Sequence, residues 1–540
     1  MTLPQLYKHI SLTSYDSIRY RDDQPEGQGS ASPFAMGLNA LVSRNVASLV
    51  HTLSLQGHWR EHDLQEFSKV GRVPDDAMML NIAVRAAIDR CVQLESFKWD
   101  LSTKLLSTVY YGLTSLQHLT SFHLRFPNTR SPRPTTIIPP MPNLESFTMT
   151  HYDPLCFPDD ISLLLLHAQK LKALKIHFSP RMRDAGEPSV QLTNLFRRNI
   201  AANRRIKPST IGIYNLFALQ NGPELSLAFD TTAIEHVTFI NSFGQDEDVS
   251  PNSISVTNDG GMFSFFDQSW MTPPDTINCP KSERHDRVHK GHVRMLAKFM
   301  GIERLYLVNA RHTATPNGVA TNGDSHGTDP SPASSSSSPA AKSASSGRTP
   351  TSGQNTSLRD MYLDAICNNH GATLRHLIFP SRWPLLPKQA ARLFRACPHL
   401  TQLSMGMDVK SFPHLRMLVP FLKHLWAMRL LAPDCEPVTS ACGKLGYQGI
   451  EDAMHEGIMG TELAAIGEFS ELRYVGLGNK VWEVGSVFEE LSMVKVPGSD
   501  EEGQEQEWRE LPVRKRRLKR LTLEDVRDVE IWKMDSQDVV

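Results

Sequence analysis

Four residues of types that bind metal ions are clustered near the middle of the chain: Cys279, His285, His289 and His292. The histidines follow one another at intervals of four and three residues, which would place them on one face of a helix. Zinc binds imidazole and thiolate groups in a tetrahedron, but one cysteine followed by three closely spaced histidines matches no common structural-zinc spacing. The sequence therefore favours a solvated helix that leads into a strand near Ile302, and we expect no metal ion and no cofactor.

Signatures of catalysis are missing from the sequence. It contains no GxxxxGK[ST] phosphate loop, no GxSxG nucleophile elbow and no HExxH helix. Gly476 and Gly478 form a GxG pair that lacks the third glycine of a dinucleotide site, and a local turn explains the pair better. No acid, base and nucleophile stand at catalytic spacing. We therefore predict that the protein is not an enzyme.

Charge and composition narrow the class of partner. The 540 residues include 57 Lys+Arg and 58 Asp+Glu, a net charge of -1 that argues against coating nucleic acid or an acidic membrane. Seven scattered cysteines without a CxxC pair are typical of a reducing, intracellular compartment. No apolar run is long enough to span a membrane. The basic run 514–517 is either a nuclear localisation signal or a solvated edge strand. We therefore expect a cytoplasmic or nuclear protein. Because of the balanced charge and the short apolar runs, we expect it to bind neither nucleic acid nor membrane.

A spaced pattern recurs along the chain: an apolar residue, two variable residues, an apolar residue, one variable residue and a third apolar residue. The second and third of these anchors alternate with polar residues, which predicts a strand with one buried face. The first anchors step by 25, 25 and 27 residues from Leu94, and by 26 and 25 from Leu374. These steps lie within the roughly 20–29-residue period of leucine-rich repeats. With helical stretches such as 162–170 and 389–396 between strands, the pattern predicts an α/β leucine-rich-repeat solenoid, a curved parallel sheet with outer helices.

Thirteen copies of this pattern are present, and some of the steps between them are long. Steps of 44, 47 and 46 residues, which begin at Val50, Leu425 and Leu472, each predict one recognisable and one degenerate repeat. The copies are Val50-Leu53-Leu55, Leu94-Phe97-Trp99, Leu119-Phe122-Leu124, Leu144-Phe147-Met149, Leu171-Leu174-Ile176, Pro208-Ile211-Ile213, Ile234-Val237-Phe239, Ile302-Leu305-Leu307, Leu374-Leu377-Phe379, Leu400-Leu403-Met405, Leu425-Met428-Leu430, Leu472-Val475-Leu477 and Leu518-Leu521-Leu523.

Two long polar stretches are predicted to be insertions in one continuous solenoid. The step from Ile302 to Leu374 spans 72 residues, and it falls to 24 without the 48-residue tract 310–357, which is rich in Ser, Ala, Thr and Pro. The step of 68 residues from Ile234 also falls to 24 without the 44-residue stretch 241–284. The composition of the longer tract predicts disorder. The predicted units are an N-terminal capping segment, 1–48; the first part of the solenoid with its insertion, 49–309; the disordered insertion, 310–357; and the second part of the solenoid with a C-terminal cap, 358–540.

Three stretches carry a family resemblance: LPQLYKHISLTSYDSIRYRDD, SPFAMGLNALVSRNVASLVHTLSLQG and CPHLTQLSMGM. They resemble the repeat part of fungal F-box proteins with leucine-rich repeats. In that family an N-terminal F-box binds the adaptor of a cullin-type ubiquitin ligase, and the repeats present the substrate. The resemblance implies a non-enzymatic protein–protein interaction module, similar to the substrate-recognition part of such a ligase subunit.

The N-terminus departs from the family pattern. Leu3-Pro4 is followed by one apolar stretch only, Leu6 to Leu12, and LYKHISL is typical of a first repeat strand. The F-box is therefore expected to be absent or truncated. An adaptor partner is expected only if an F-box lies upstream, and the alternative is a free-standing leucine-rich-repeat scaffold with no ubiquitin role.

Residues between and just after the strand anchors are predicted to line the concave face of the solenoid and to bind the protein partner. Three of them, Lys98, Arg125 and Lys175, form a predicted basic stripe that suits an acidic or phosphorylated partner. The alternative is that a few cations on a hydrated sheet attract nothing specific. The predicted partner-binding residues are Lys98, His123, Arg125, Lys175, His177, His236, Arg304, Tyr306, His376, Gln402, Arg429 and Tyr474.

Overall fold

The protein has a mixed α/β structure, and its described residues form one large, mostly parallel sheet of 16 strands and a separate two-stranded hairpin. No helix in the described part of the chain is both long enough and apolar enough to cross a membrane. A cytoplasmic or nuclear location stays a prediction.

The structure, a computed structural model, describes residues 3–15, 17–21, 23–27, 32–59, 73–127, 136–179, 192–215, 227–240, 280–286, 288, 290–308, 357–381, 383–407, 414–431, 460, 471–478, 480–497, 506–536 and 539.

The strands of the large sheet lie side by side in the order in which the chain forms them. They are parallel up to β16, and β16, β17 and β18 are antiparallel neighbours. The strands are β1 (His9–Ser14), β2 (Tyr20–Arg21) and β3 (Gln24–Pro25), the last two forming the separate hairpin, then β4 (Thr52–Gly57), β5 (Ser96–Leu101), β6 (Ser121–Arg125), β7 (Ser146–Tyr152), β8 (Ala173–Phe178), β9 (Thr210–Tyr214), β10 (His236–Ile240), β11 (Ser282–His285), β12 (Arg304–Leu307), β13 (His376–Ile378), β14 (Gln402–Gly406), β15 (Ala427–Leu431), β16 (Tyr474–Leu477), β17 (Lys480–Pro497) and β18 (Gln506–Leu521).

Helices occupy the connections between strands. Sequence features explain several of their ends: the Ser357 hydroxyl accepts from the Asp360 N–H and so caps one helix, and Pro387 begins another. The helices are α1 (Leu3–Tyr7), α2 (Pro33–Ser43), α3 (Asp75–Arg90), α4 (Ser107–Thr114), α5 (Ser162–His167), α6 (Leu192–Leu195), α7 (Arg197–Ala201), α8 (Lys290–Leu296), α9 (Leu358–Ala365), α10 (Pro387–Ala396), α11 (Leu415–Leu418) and α12 (Glu530–Lys533), with short 3-10 turns at Ala47–Leu49, Thr231–Ala233, Val419–Phe421 and Glu524–Val526 and a π turn at Ile366–His370.

The strands bury one face against the helices. In β5, Phe97 and Trp99 are fully buried, whereas Lys98 between them is half-buried, because successive side chains of a strand point to opposite faces. The register aligns Phe97, Phe122 and Phe147 on neighbouring strands, with ring centroids 6.2 and 5.6 Å apart. Such rows of anchors, packed against buried residues of the helices, form the main hydrophobic cores.

In each of the thirteen copies of the apolar pattern the second anchor lies on a strand, but three of the predicted long steps are wrong. No strand of the sheet lies between β4 and β5, which pair directly, or between β15 and β16, so the degenerate repeats predicted there are absent from the described residues. The copy Leu518-Leu521-Leu523 begins on β18, the second strand of an antiparallel hairpin, and is not a repeat of the parallel sheet.

The two predicted insertions have different outcomes. Strand β11 lies between β10 and β12, so residues 282–284, which the sequence analysis assigned to the insertion 241–284, belong to the sheet. β12 and β13, which flank the tract 310–357, pair directly. Residues 241–279 and 310–356 lie outside the described residues, and the predicted disorder of the longer tract stays a prediction.

Candidate functional site

All twelve predicted partner-binding residues lie on one face of the sheet, opposite the helices that connect its strands. The register aligns Lys98 with His123, Thr148 with Lys175, and Tyr306 with Ile378, Ser404 and Arg429. We call this the polar face, defined by the strand positions aligned with Ser96, Lys98 and Asp100. On the later strands the polar face is covered by another segment of the chain, whereas on the earlier strands no described segment covers it, and we call these the covered part and the uncovered part.

The predicted basic stripe on the earlier strands contains a carboxylate. Asp100 Oδ2 lies 3.0 Å from Lys98 Nζ, and Asp100 Oδ1 lies 3.7 Å from Arg125 Nη1. Burial, followed by the charges of Lys533 and Arg284, lowers the pKa of Lys175. The stripe is therefore not a run of unpaired cations, because the negative charge of Asp100 balances one of the positive charges of Lys98 and Arg125.

Neutral imidazoles occupy the same part of the face. Burial and the charge of Lys98 lower the pKa of His123 to about 4, although Asp100 opposes the shift. Burial lowers the pKa of His177 to about 4 as well. The His177 ring is fixed because its Nδ1 accepts from the backbone N–H of His151, at 3.2 Å, and its Nε2 lies 3.0 Å from the Asn215 amide. Both imidazoles are thus uncharged hydrogen-bonding groups at neutral pH.

Three buried polar atoms of this region have no hydrogen-bond partner among the described residues: His123 Nε2, Thr150 Oγ1 and His151 Nδ1. They come from the neighbouring strands β6 and β7. Buried polar groups are usually satisfied, and a group that is not satisfied calls for an explanation such as a water or a ligand. The uncovered part of the face therefore offers unused hydrogen-bonding capacity beside the charged group of Lys98, Asp100 and Arg125.

The later strands are covered by the end of the chain. We call residues 523–536 the C-terminal segment. Its apolar side chains pack in a third hydrophobic cluster with residues of the polar face. The strands supply Tyr214, Ile240, Tyr306, Val308, Ile378, Ala427 and Val481, and the segment supplies Val526, Val529, Ile531 and Trp532. In β13, β14 and β15 almost every residue is consequently buried.

The two glycines of the GxG pair have local structural roles. A Cβ on Gly476 would lie 2.6 Å from a ring carbon of Trp532, so only glycine lets the indole pack on β16. Gly478 has φ +58°, a left-handed conformation that other residues rarely adopt, and it forms the turn between β16 and β17. The predicted turn is confirmed at Gly478.

Polar contacts hold the C-terminal segment on the sheet. The Glu530 carboxylate accepts hydrogen bonds from Tyr306 and His376, and it lies 3.4 Å from Arg304 Nη1. Burial would raise the pKa of Glu530, but the bonds from His376 and Tyr306 and the charges of His376 and Arg304 lower it to about 2. The Ile531 N–H donates to Gln402 Oε1 at 3.2 Å. Several residues predicted to bind another protein therefore bind the chain's own C-terminal segment.

Buried arginines make the longest-range contacts of the segment. Arg284 Nε donates to the Met534 carbonyl at 2.8 Å, and its Nη2 donates to the Ser536 carbonyl at 2.5 Å. Arg429 Nη1 lies 2.9 Å from Asp535 Oδ2 and also donates to the Ile531 carbonyl at 2.9 Å.

Two residues of the predicted set lie at the edges of these contacts. His236 Nδ1 is 3.5 Å from Arg304 Nη2, and the half-buried Tyr474 packs edge-on against Trp426.

Sequence reasoning missed Arg284, because β11 was assigned to an insertion, and it missed the roles of Glu530 and Asp535. The apolar residues Val526, Val529, Ile531 and Trp532, spaced among charges in DVRDVEIWKM, are the signal that could have indicated a docked segment.

A second cluster of functional side chains lies on the helix side of the sheet. Glu283 and His285 of β11 meet His292 of α8, and all three side chains are buried. Glu283 Oε2 lies 3.2 Å from His292 Nε2 and 3.8 Å from His285 Nε2. The expected solvated helix with three histidines on one face is wrong, because His285 is on a buried strand. Cys279 and His289 lie outside the described residues.

The three side chains of this cluster are fully buried and contact one further polar group. The Tyr362 hydroxyl lies 2.8 Å from His292 Nδ1. Burial would raise the pKa of Glu283, but His285 and His292 beside its carboxylate lower it to about 2. The carboxylate is therefore ionised, and imidazole nitrogens and a carboxylate oxygen are groups that can hold a metal ion.

Comparison with known proteins adds no relative: no protein-family model and no curated protein matches the chain. The class that the fold defines is a mixed α/β protein with a large, mostly parallel sheet.

Proposed function

We propose that the chain is a leucine-rich-repeat solenoid that binds another protein through the uncovered part of the polar face. The observation that carries this proposal is the strand order. From β4 to β16 each strand lies beside its successor in parallel, and each connection supplies the next unit of the stack. Stacked repeats produce this order, because each repeat contacts only its neighbours. Such stacks expose one strand face, and binding surfaces of repeat proteins use that face.

The chemistry of the uncovered part suits an acidic or phosphorylated protein segment. Lys98 and Arg125 are held beside each other by Asp100, and guanidinium and ammonium groups bind carboxylate or phosphate by charge-assisted hydrogen bonds. The unsatisfied atoms of His123 and Thr150 lie on the adjoining strands and would donate to or accept from the same segment. Neutral imidazoles add hydrogen bonds without adding charge.

Two roles for such a module stay open, the substrate-recognition part of an F-box ubiquitin-ligase subunit and a free-standing scaffold. Leu3–Tyr7 is a short helix and His9–Ser14 is the first strand of the sheet, paired with β4. The role as a ligase subunit therefore requires an adaptor-binding segment outside these residues.

Affinity purification with mass spectrometry tests the proposal. The tagged full chain is compared with a double variant, Lys98→Gln with Arg125→Gln, after expression in cells of its source. The matched control changes Lys172→Gln and Lys281→Gln, exposed lysines that directly precede β8 and β11 and pair with Glu145 and Glu235. We expect a stoichiometric partner with the unchanged chain and the control, and at least tenfold less of it with the double variant.

The identity of the partners separates the two roles. Cullin and adaptor peptides in the purified complex would support the ligase subunit, whereas a partner without them would support the scaffold. Equal recovery of every protein by the unchanged chain and the double variant would refute binding through this face. Circular dichroism of both variants verifies that they are folded.

A further inference from the structure

Strand β11 breaks the apolar pattern of the sheet at two consecutive core positions. The register aligns Glu283 with Val237 of β10 and with Leu305 of β12, and His285 occupies the next core position. The exposed fractions of Glu283 and His285 are 1% and 2%. An unpaired carboxylate in such a place would cost several kcal/mol, so buried charges are paired or coordinate metal ions.

The three side chains have the geometry of a tetrahedral metal site. Their ligand atoms all lie within 4.8 Å of one another, and Glu283 Oε2 is 3.2 and 3.8 Å from the Nε2 atoms of His292 and His285. Ligands about 2.0–2.1 Å from a tetrahedral zinc ion are roughly 3.3–3.4 Å apart. Small adjustments of side chains would therefore place all three atoms at bonding distance from one ion.

The surroundings of the cluster resemble the outer shell of a metal site. A metal-binding histidine usually has a hydrogen-bond partner on its second ring nitrogen, which orients the ring. Here the Tyr362 hydroxyl, itself buried, lies 2.8 Å from His292 Nδ1 and leaves Nε2 directed at Glu283. A carboxylate accepts only, so its contact of 3.2 Å with His292 Nε2 requires a proton or a cation between the two atoms.

We propose that Glu283, His285 and His292 bind a divalent transition-metal ion of the zinc class, which joins β11 to α8. Two imidazoles and one carboxylate form a known zinc ligand set that leaves a fourth position for water. The site lies where the two main hydrophobic cores meet, since Phe239 belongs to the first and Val293 and Leu305 belong to the second. The ion therefore connects strand β11 of the sheet to helix α8 at the place where the two hydrophobic cores meet. The competing arrangement is a hydrogen-bonded triad with a proton on an imidazole.

Zinc binding by the purified full chain is the first test. The chain is stripped with a chelator, and zinc is titrated back in competition with a chromophoric chelator while the melting temperature is followed. We expect one zinc ion per chain at this site and a melting temperature several degrees higher, which the chelator reverses. Glu283→Gln should lose the ion and the shift. A chain that binds no zinc and shows no shift would refute the metal and leave the protonated triad.

A milder variant keeps the test decisive if Glu283→Gln does not fold. Tyr362→Phe removes only the hydroxyl beside His292, and it should weaken zinc binding about 10–100-fold, the usual effect of losing such a partner. The matched control is Tyr152→Phe, a buried tyrosine whose hydroxyl donates to the Phe157 carbonyl at 2.8 Å, far from the cluster in sequence. Equal zinc affinities of the two variants would assign any bound zinc to another place and overturn the proposal.

Discussion

Two buried arginines on the polar face, Arg284 and Arg429, bind the C-terminal segment through backbone carbonyl oxygens and one carboxylate. The side chain of Arg429 is 3% exposed and its partner Asp535 is fully buried. In such a place the desolvation of each charge is offset only while the other charge is present. At the scale of the residue, the C-terminal segment is thus held on the polar face by an ion pair that cannot lose one member.

Replacing Asp535→Asn should lower the free energy of unfolding by about 3–5 kcal/mol, because it leaves the Arg429 charge buried without its carboxylate. Urea unfolding followed by tryptophan fluorescence measures the loss. Asp528→Asn is the matched control in the same segment, since the Asp528 side chain is 92% exposed, and it should cause no measurable change. Similar losses in both variants would contradict the role given to the pair.

At the scale of the element, neighbouring strands are joined by side chains that repeat in register. Phe122 stands between Phe97 and Phe147, and the edge of the Tyr110 ring on α4 meets it at a centroid distance of 6.3 Å. Aromatic pairs at such distances add stability beyond the apolar area that they bury. Each strand is therefore stabilised by the strands on both sides of it, as expected for stacked units.

Phe122→Ala should lower the free energy of unfolding by about 3–5 kcal/mol, because it opens a cavity in the middle of this row. Denaturant unfolding of the purified variant tests the value. Ser121→Ala changes the preceding residue of the same strand on the polar face, where it is half-buried, and should alter stability by less than about 0.5 kcal/mol. A loss under about 1 kcal/mol for Phe122→Ala would show that neighbouring strands compensate for the cavity.

At the scale of the whole molecule, the C-terminal segment connects strands that are far apart in the sequence. Arg284 and Met534 are 250 residues apart, and Gln402 and Ile531 are 129 apart. The segment thereby covers an apolar cluster that would otherwise be a large exposed patch, and such patches promote association. In the part of the chain that the structure describes, the earlier strands of the polar face stay uncovered.

Deleting residues 523–540 should lower the melting temperature by at least 10 °C and increase the fluorescence of a dye that binds exposed apolar surface. The physical reasons are the exposed cluster around Tyr306 and Ile378 and the lost partners of Arg284 and Arg429. A control with Glu524→Gln and Arg527→Gln, an exposed ion pair of the same segment, should behave like the unchanged chain. If the deletion left both measurements unchanged, the segment would not be part of the stable fold.

The apolar pattern predicted strands β4 to β10 and β12 to β16, whose core-facing residues are apolar. It missed β11 because Glu283 and His285 take those positions, and a search for apolar anchors does not detect a polar pair. It wrongly assigned Leu518 to the repeats because alternation has a period of two in parallel and antiparallel strands alike. It predicted degenerate repeats in long connections because length alone does not say whether a connection contains a helix such as α3 or another strand.

The sequence by itself determined which residues share a face of the sheet, since the alternation of side chains along a strand is a local property of the backbone. It also determined that cations and imidazoles such as Lys98 and His123 lie on the polar face. Only the tertiary structure decided which charges meet, because Asp100, Glu530 and Asp535 reach their partners through contacts between separate elements. For the same reason only the tertiary structure could bring Glu283, His285 and His292 together, and it also covered the later strands of the polar face with the C-terminal segment.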